Sequence, residues 1–172
     1  MEKEVAEGIN SYLVFKLGNE EFAANAGKVL HILELVKITE VPSSPNFMKG
    51  VINLRGTVLP VIDTRIKFGM NPIDYTGNTC IIVMESEVDD ELIEVGALVD
   101  SVVSVAEYDQ SQIKKPPIVS KESKNEFITG LVEQDDKFVM IIDIDKVFST
   151  SEMFDLKNLT EQNKTVAETI DN

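Results

Sequence analysis

The stretch GVINLRGTVLPVIDTRIKF at residues 50–68 decides the fold, because it returns without a gap as GLVEQDDKFVMIIDIDKVF at residues 130–148. Gly50/Gly130, Ile62/Ile142, Asp63/Asp143 and Phe68/Phe148 are identical pairs. In each copy an apolar strand enters a tight turn, Arg55-Gly56 or Asp135-Asp136, and a second apolar strand follows. An aspartate then precedes a short helix-like stretch. Asp63 and Asp143 read as N-caps, whose carboxylates accept orphan backbone N–H bonds at the positive helix end, typically worth about 1 kcal/mol over alanine. A looser echo sets residues 12–33 against 79–105, each a hairpin leading into a third apolar strand. The chain therefore reads as two similar halves, each about the size of a small barrel, an architecture that leaves no free strand edges.

Between the ends, β-branched and aliphatic runs alternate with turn signals, the pattern of an all-β fold. The runs are Tyr12–Leu17, Glu21–Ala24, Val29–Val41, Gly50–Leu54, Thr57–Ile62, Thr79–Met84, Leu92–Val105, Phe127–Val132 and Lys137–Ile142, or roughly ten strands. Val41-Pro-Ser-Ser-Pro45 and Lys114-Lys115-Pro-Pro117 read as rigid connectors. Residues 1–10 and 151–172 are polar and are expected to be flexible, with a short C-terminal helix around Met153, Phe154, Leu156 and Leu159.

Thirty acidic residues against 16 basic ones among 172 give a net charge of -14 and a pI near 4.4, which removes the basic surface that a phosphate backbone requires. One cysteine, Cys80, and one histidine, His31, leave no internal disulfide, no cysteine-based zinc site and no transition-metal cluster. No apolar stretch reaches the roughly 18 residues of a membrane-spanning helix, and the acidic N-terminus is unlike a signal peptide, so the chain is expected in the cytoplasm.

Nucleophilic catalysis has no visible machinery: there is no Ser/His/Asp spacing, no G-x-S-x-G elbow and no glycine-rich phosphate loop. The six carboxylates from Glu85 to Glu94 lack the glycine and ligand spacing of a calcium loop and read as a solvated hairpin tip. Cys80 reads as a small buried hydrophobe. Alternation along Val29-Leu-His-Ile-Leu33 puts His31 with Val29 and Leu33 on one face and Leu30 with Ile32 on the other. Asn53-Leu54-Arg55-Gly56 is the most informative segment, since it sets an amide, a guanidinium and a φ-permissive glycine at a hairpin tip. Arg55 reads either as a bridge between neighbouring loops or as a contact for an acidic or amide-rich partner.

The motif G-x-x-N-L-R-G-x-x-x-P-x-x-D-x-R from Gly50, with Val41-Pro42 before it and Val95-Gly-x-x-Val-Asp100 after it, resembles the CheW family of chemotaxis coupling proteins. The resemblance runs over residues 11 to 150. It implies two SH3-like five-stranded β-barrels packed together, with short helical turns, and no enzymatic activity, cofactor or metal. It further implies a scaffold that couples chemoreceptors to the histidine kinase CheA, recruited from the cytoplasm to membrane-associated receptor arrays. The groove between the barrels would grip the receptor's helical tip, and a barrel end would dock onto the regulatory domain of CheA.

Carried over by position, Val29, His31, Gly50, Asn53, Leu54, Arg55, Gly56 and Gly96 fall in the receptor-related signature, and Ile38, Thr39 and Val41 on the kinase-docking segment. His31 departs from the glutamate usual there, and the acidic hairpin is longer than typical. Rival readings are a coupler for another receptor-kinase pathway, a barrel that binds oligonucleotides or peptides, and a hydrolase with paired carboxylates.

Overall fold

The computed structural model describes residues 8–116 and 126–148, so the expected C-terminal helix, the tail and Pro117 lie outside the described residues. In the first half, β1 (Ile9–Leu17) and β2 (Glu20–Asn25) form a hairpin, and a 3-10 turn at Ala26–Lys28 leads into β3 (Val29–Glu34). A second hairpin, β4 (Met48–Leu54) and β5 (Thr57–Asp63), ends in the single-turn helix α1 (Thr64–Lys67). The second half repeats this order as β6 (Cys80–Val88), β7 (Glu91–Val99) and β8 (Ser101–Asp109). After a 3-10 turn at Gln110–Gln112 come β9 (Ile113–Lys114), β10 (Ile128–Gln134), β11 (Lys137–Ile142) and α2 (Ile144–Val147). Strand β1 thus begins at Ile9, inside the stretch expected to be flexible, and the expected run Leu92–Val105 is two strands broken at Asp100.

Two sheets result, in the orders β8-β1-β2-β11-β10-β9 and β3-β6-β7-β5-β4. Both close on themselves. In the first, called barrel A, β9 continues β8 beyond the 3-10 turn and pairs with β10, so one bent stretch of chain forms both sheet ends. In the second, barrel B, the chain beyond β3 returns at Thr39, which exchanges backbone bonds of 2.9 and 2.8 Å with Val51 of β4. Counting each bent strand once gives the five strands per barrel that the sequence reading expects.

Repeat and barrel do not coincide, however. Barrel A joins the β1–β2 hairpin of the first repeat to β8–β11 of the second, while barrel B joins β3–β5 of the first to the β6–β7 hairpin of the second. The two halves have exchanged their opening hairpins. Each barrel therefore needs both halves of the chain, and long-range pairings such as β2 with β11 and β5 with β7, both parallel, hold the exchange together.

The repeated glycines have a steric reason. At Gly50 and Gly130 the closing strand crosses the bent strand so closely that a Cβ on Gly50 would run into the Thr39 carbonyl, and one on Gly130 into the Ile113 side chain. Both sites coincide with register shifts in their hairpins.

Strand alternation divides the apolar residues into three clusters. Tyr12, Val14, Ala23, Tyr108, Val132, Val139 and Ile141 fill barrel A, and Ile52, Leu59, Val61, Ile81, Val83 and Leu98 fill barrel B. The opposite faces of the same strands, including Leu13, Phe15, Leu17, Ile62, Ile82, Met84 and Ile142, meet in a core shared by the barrels. This explains why Tyr12–Phe15 of β1 and Ile81–Met84 of β6 are apolar without interruption: both faces are buried. Phe68 and Phe148 of the repeat also enter the shared core, where Phe68 lies 5.2 Å from Phe22 and 4.4 Å from Phe127 between ring centroids. The aspartates cap as expected: Asp63 accepts from Ile66 N–H, and Asp143 from Asp145 and Lys146 N–H.

Candidate docking surfaces

Four of the receptor-related positions sit at one turn. Arg55 and Gly56 both have positive φ, 52° and 83°, the geometry of a two-residue hairpin turn, and Asn53 Oδ1 accepts the Gly56 N–H at 2.8 Å. Asn53 therefore holds the turn. Leu54 is half-buried against the barrel B interior, and the Arg55 side chain is exposed with no hydrogen bond or ion pair among the described residues. Of the two readings of Arg55, no bridge between loops forms among the described residues, and the guanidinium faces outward.

Three other positions lie on one transverse row. Cross-strand pairing runs His31–Val83–Gly96–Val61–Gly50 through β3, β6, β7, β5 and β4. Gly50 and Gly96 are buried, and a Cβ on Gly96 would stand 2.8 Å from the Ile81 side chain. They permit the packing of barrel B and offer no side chain to a partner. Val29 and His31 are half-buried, as the alternation along β3 requires.

The kinase-related segment is likewise mixed. Ile38 packs against the barrel B interior and Val41 against the shared core, while Thr39 makes the closing bridge to Val51.

A cleft of about 590 Å³ opens between the barrels, where a groove was expected, and none of the site residues expected from the sequence lines it. One wall is the end of β3 and the residues after it, Ile32 to Leu35; the other is the start of β8, Ser101 and Val102; Thr76–Cys80 forms the floor. On β3, Leu30 and Ile32 stay 40% and 50% exposed and lie side by side on one face of the strand. The signal was present in the alternation, which already set Leu30 and Ile32 on the face opposite His31. By strand direction, the Arg55 turn and the β6–β7 turn share one end of barrel B with the start of β3, and the cleft opens at the other end of β3. Burial pushes the thiol of Cys80, which borders the cleft, above its ordinary pKa, so it remains a thiol at neutral pH.

Among the described residues no group of three or more His, Cys, Asp or Glu side chains is arranged to hold a metal ion. No described helix is long and apolar enough to cross a membrane.

The CheW-like domain matches residues 11–152. The chain belongs to the CheW family. It is 34% identical over 152 residues to the chemotaxis protein CheW of Klebsiella aerogenes, covering 87% of this chain and 88% of that protein. It is 32% identical to the CheW of Bacillus subtilis, over 86% of this chain and 91% of the other. The crystal structure of the scaffolding protein TtCheW from Thermoanaerobacter tengcongensis superposes with a TM-score of 0.71 at 31% identity, covering 83% of this chain and 94% of that one. The fold is thus the CheW double barrel, and the function is that of a non-enzymatic CheW scaffold, coupling chemoreceptors to CheA in chemotaxis signal transduction.

Proposed function

We propose that the cleft between β3 and β8 receives the helical tip of a chemoreceptor, while the Ile38–Val41 segment and adjoining end of barrel B dock onto the regulatory domain of CheA. The observation that carries the receptor assignment is the exposed aliphatic pair Leu30 and Ile32 on β3, continuous with a cleft whose opposite wall includes Val102. An amphipathic helix laying its apolar face in such a groove gains area-proportional stabilisation, with polar residues at the rim fixing its register. Arg55 acts outside the cleft, as an exposed charge at the hairpin tip that contacts an acidic or amide-rich surface in the assembled complex. The chain works in the cytoplasm, at membrane-associated receptor arrays.

Amide chemical-shift mapping tests the assignment. Titration with a receptor signalling-tip fragment should perturb Leu30 to Leu35, Thr76 to Cys80 and Ser101 to Val105, and titration with the CheA regulatory domain should perturb residues 36–41. Receptor-induced shifts confined to barrel A away from β8 would refute the cleft, and kinase-induced shifts that spare residues 36–41 would refute the docking segment.

A further inference from the structure

The alternation of β3 places Leu30, Ile32 and Glu34 in one outward stripe, two aliphatic side chains followed by a carboxylate. Glu34 is exposed and lines the cleft, and its carboxylate has no hydrogen bond or ion pair among the described residues. It is also the one carboxylate among the described cleft-lining residues; the rest of that lining is aliphatic, hydroxyl, amide, glycine or the Cys80 thiol. Alternate residues of a strand lie about 6.6 Å apart, so the stripe spans about 13 Å. On a helix, positions i, i+4 and i+8 are about 6 and 12 Å apart along the axis, close to the same spacing.

From this match we infer that β3 reads its partner as a ruler: the bound helix runs along the strand, sets aliphatic residues at i and i+4 against Leu30 and Ile32, and places a lysine or arginine at i+7 or i+8 against Glu34. This rests on the cleft being the receptor site and adds to it the chemistry that selects among receptors. A charge at the edge of an apolar groove contributes modestly to affinity but decides register and partner, since a helix with an acidic residue there meets like-charge repulsion.

The test uses the whole chain and a signalling-tip helical-hairpin fragment of a chemoreceptor from the same organism, with dissociation constants measured by fluorescence anisotropy at low and moderate salt. Four proteins are compared: the parent, Ile32→Asp, Glu34→Gln and Glu34→Lys, each checked by thermal melting, which an exposed position should leave unchanged. Ile32→Asp should weaken binding by about tenfold or more, as a charge set into a dry contact does. Glu34→Gln should weaken it by about two- to fivefold and flatten its salt dependence, the range for a rim ion pair. Glu34→Lys should weaken it further and be rescued by a fragment with glutamate in place of its lysine or arginine at i+7 or i+8. If Ile32→Asp weakens binding while both Glu34 variants bind as the parent does with unchanged salt dependence, the cleft stands and the ruler is overturned. Unchanged affinity in all three variants overturns the cleft and the ruler together.

Discussion

Arg65 and Asp145 hold the same place in the two copies of the repeat, carry opposite charges, and each ties one barrel to the other. Arg65, on α1 after barrel B, donates from Nη2 and Nε to Asp100 at 2.6 and 2.9 Å, and Asp100 in turn accepts the Gly18 N–H from the β1–β2 turn of barrel A at 2.6 Å. Asp145, on α2 after barrel A, accepts from Glu87 N–H at 2.9 Å and from Ser86 at 3.3 Å on β6 of barrel B, and from Lys28 at 3.1 Å. A scaffold that transmits state between two partners needs its barrels held in a fixed relation, and these two clamps flank the shared core that does so.

The Arg65 clamp is largely shielded, with side chains 12% and 20% exposed, and is forked. Arg65→Ala removes it and, among the described residues, leaves the Asp100 carboxylate with the Gly18 bond alone. The expected loss is about 2 kcal/mol, the usual worth of hydrogen bonds to a charged group, read from urea denaturation. A loss under about 0.5 kcal/mol, typical of a surface site, would show that the apolar core alone fixes the barrels.

Acid should loosen both clamps. Burial alone would raise the Asp100 and Asp145 carboxyls, but the bonds from Arg65 and Gly18 in one case, and from Glu87, Lys28 and Ser86 in the other, outweigh it and leave both below the ordinary range. A carboxyl depressed in the folded state stabilises the fold above its unfolded pKa of about 3.9, and that contribution is lost as pH falls through the folded value. Stability should therefore decline below about pH 4, and Asp100→Asn should reduce the steepness of that decline. An unaltered acid profile in Asp100→Asn contradicts this assignment.

Thr64 gives a prediction of opposite sign. Its hydroxyl is buried without a hydrogen-bond partner among the described residues, and the repeat has Ile144 at the same place. Thr64→Val removes an unsatisfied polar atom from the shared core and should stabilise by about 1 kcal/mol, seen as a higher melting temperature. A lower melting temperature would mean that the hydroxyl is satisfied in solution.

The β4–β5 turn separates stability from function. Arg55→Ala should change stability by less than about 0.5 kcal/mol, because the side chain is exposed and unpaired among the described residues, yet lower receptor-coupled kinase activation. Asn53→Ala should cost about 1 kcal/mol by releasing the Gly56 N–H. Full coupling by a folded Arg55→Ala protein refutes the contact. Ile38→Asp, in contrast, is a poor probe of kinase docking, since Ile38 packs on the barrel B interior and the charge would unfold that end; Thr39 and the exposed Val36 are better positions.

Much of this was legible in the residues. The repeat with its paired glycines, caps and phenylalanines announces two barrels, and the Asn-Leu-Arg-Gly turn announces its own geometry. The exchange of hairpins between halves was not legible, because a repeat records which units are alike and not which units pair. Gly50 and Gly96 fall in a functional signature yet serve packing, since a sequence match cannot tell a residue that touches a partner from one that shapes the surface beside it. The groove between the barrels was expected but its lining was not, for a related reason: its walls come from strands of opposite halves, and Ile32, Leu33 and Val102 look like core residues until burial is known.

The coupling role is tested most directly by co-sedimentation. This protein is mixed with receptor signalling fragments and CheA from the same organism, and the pellet is assayed for composition and kinase activity. All three components should pellet together with raised kinase activity, and Arg55→Ala should lower the activation. If the protein stays in the supernatant while receptor and kinase respond to another CheW, the claim that this chain couples them is contradicted.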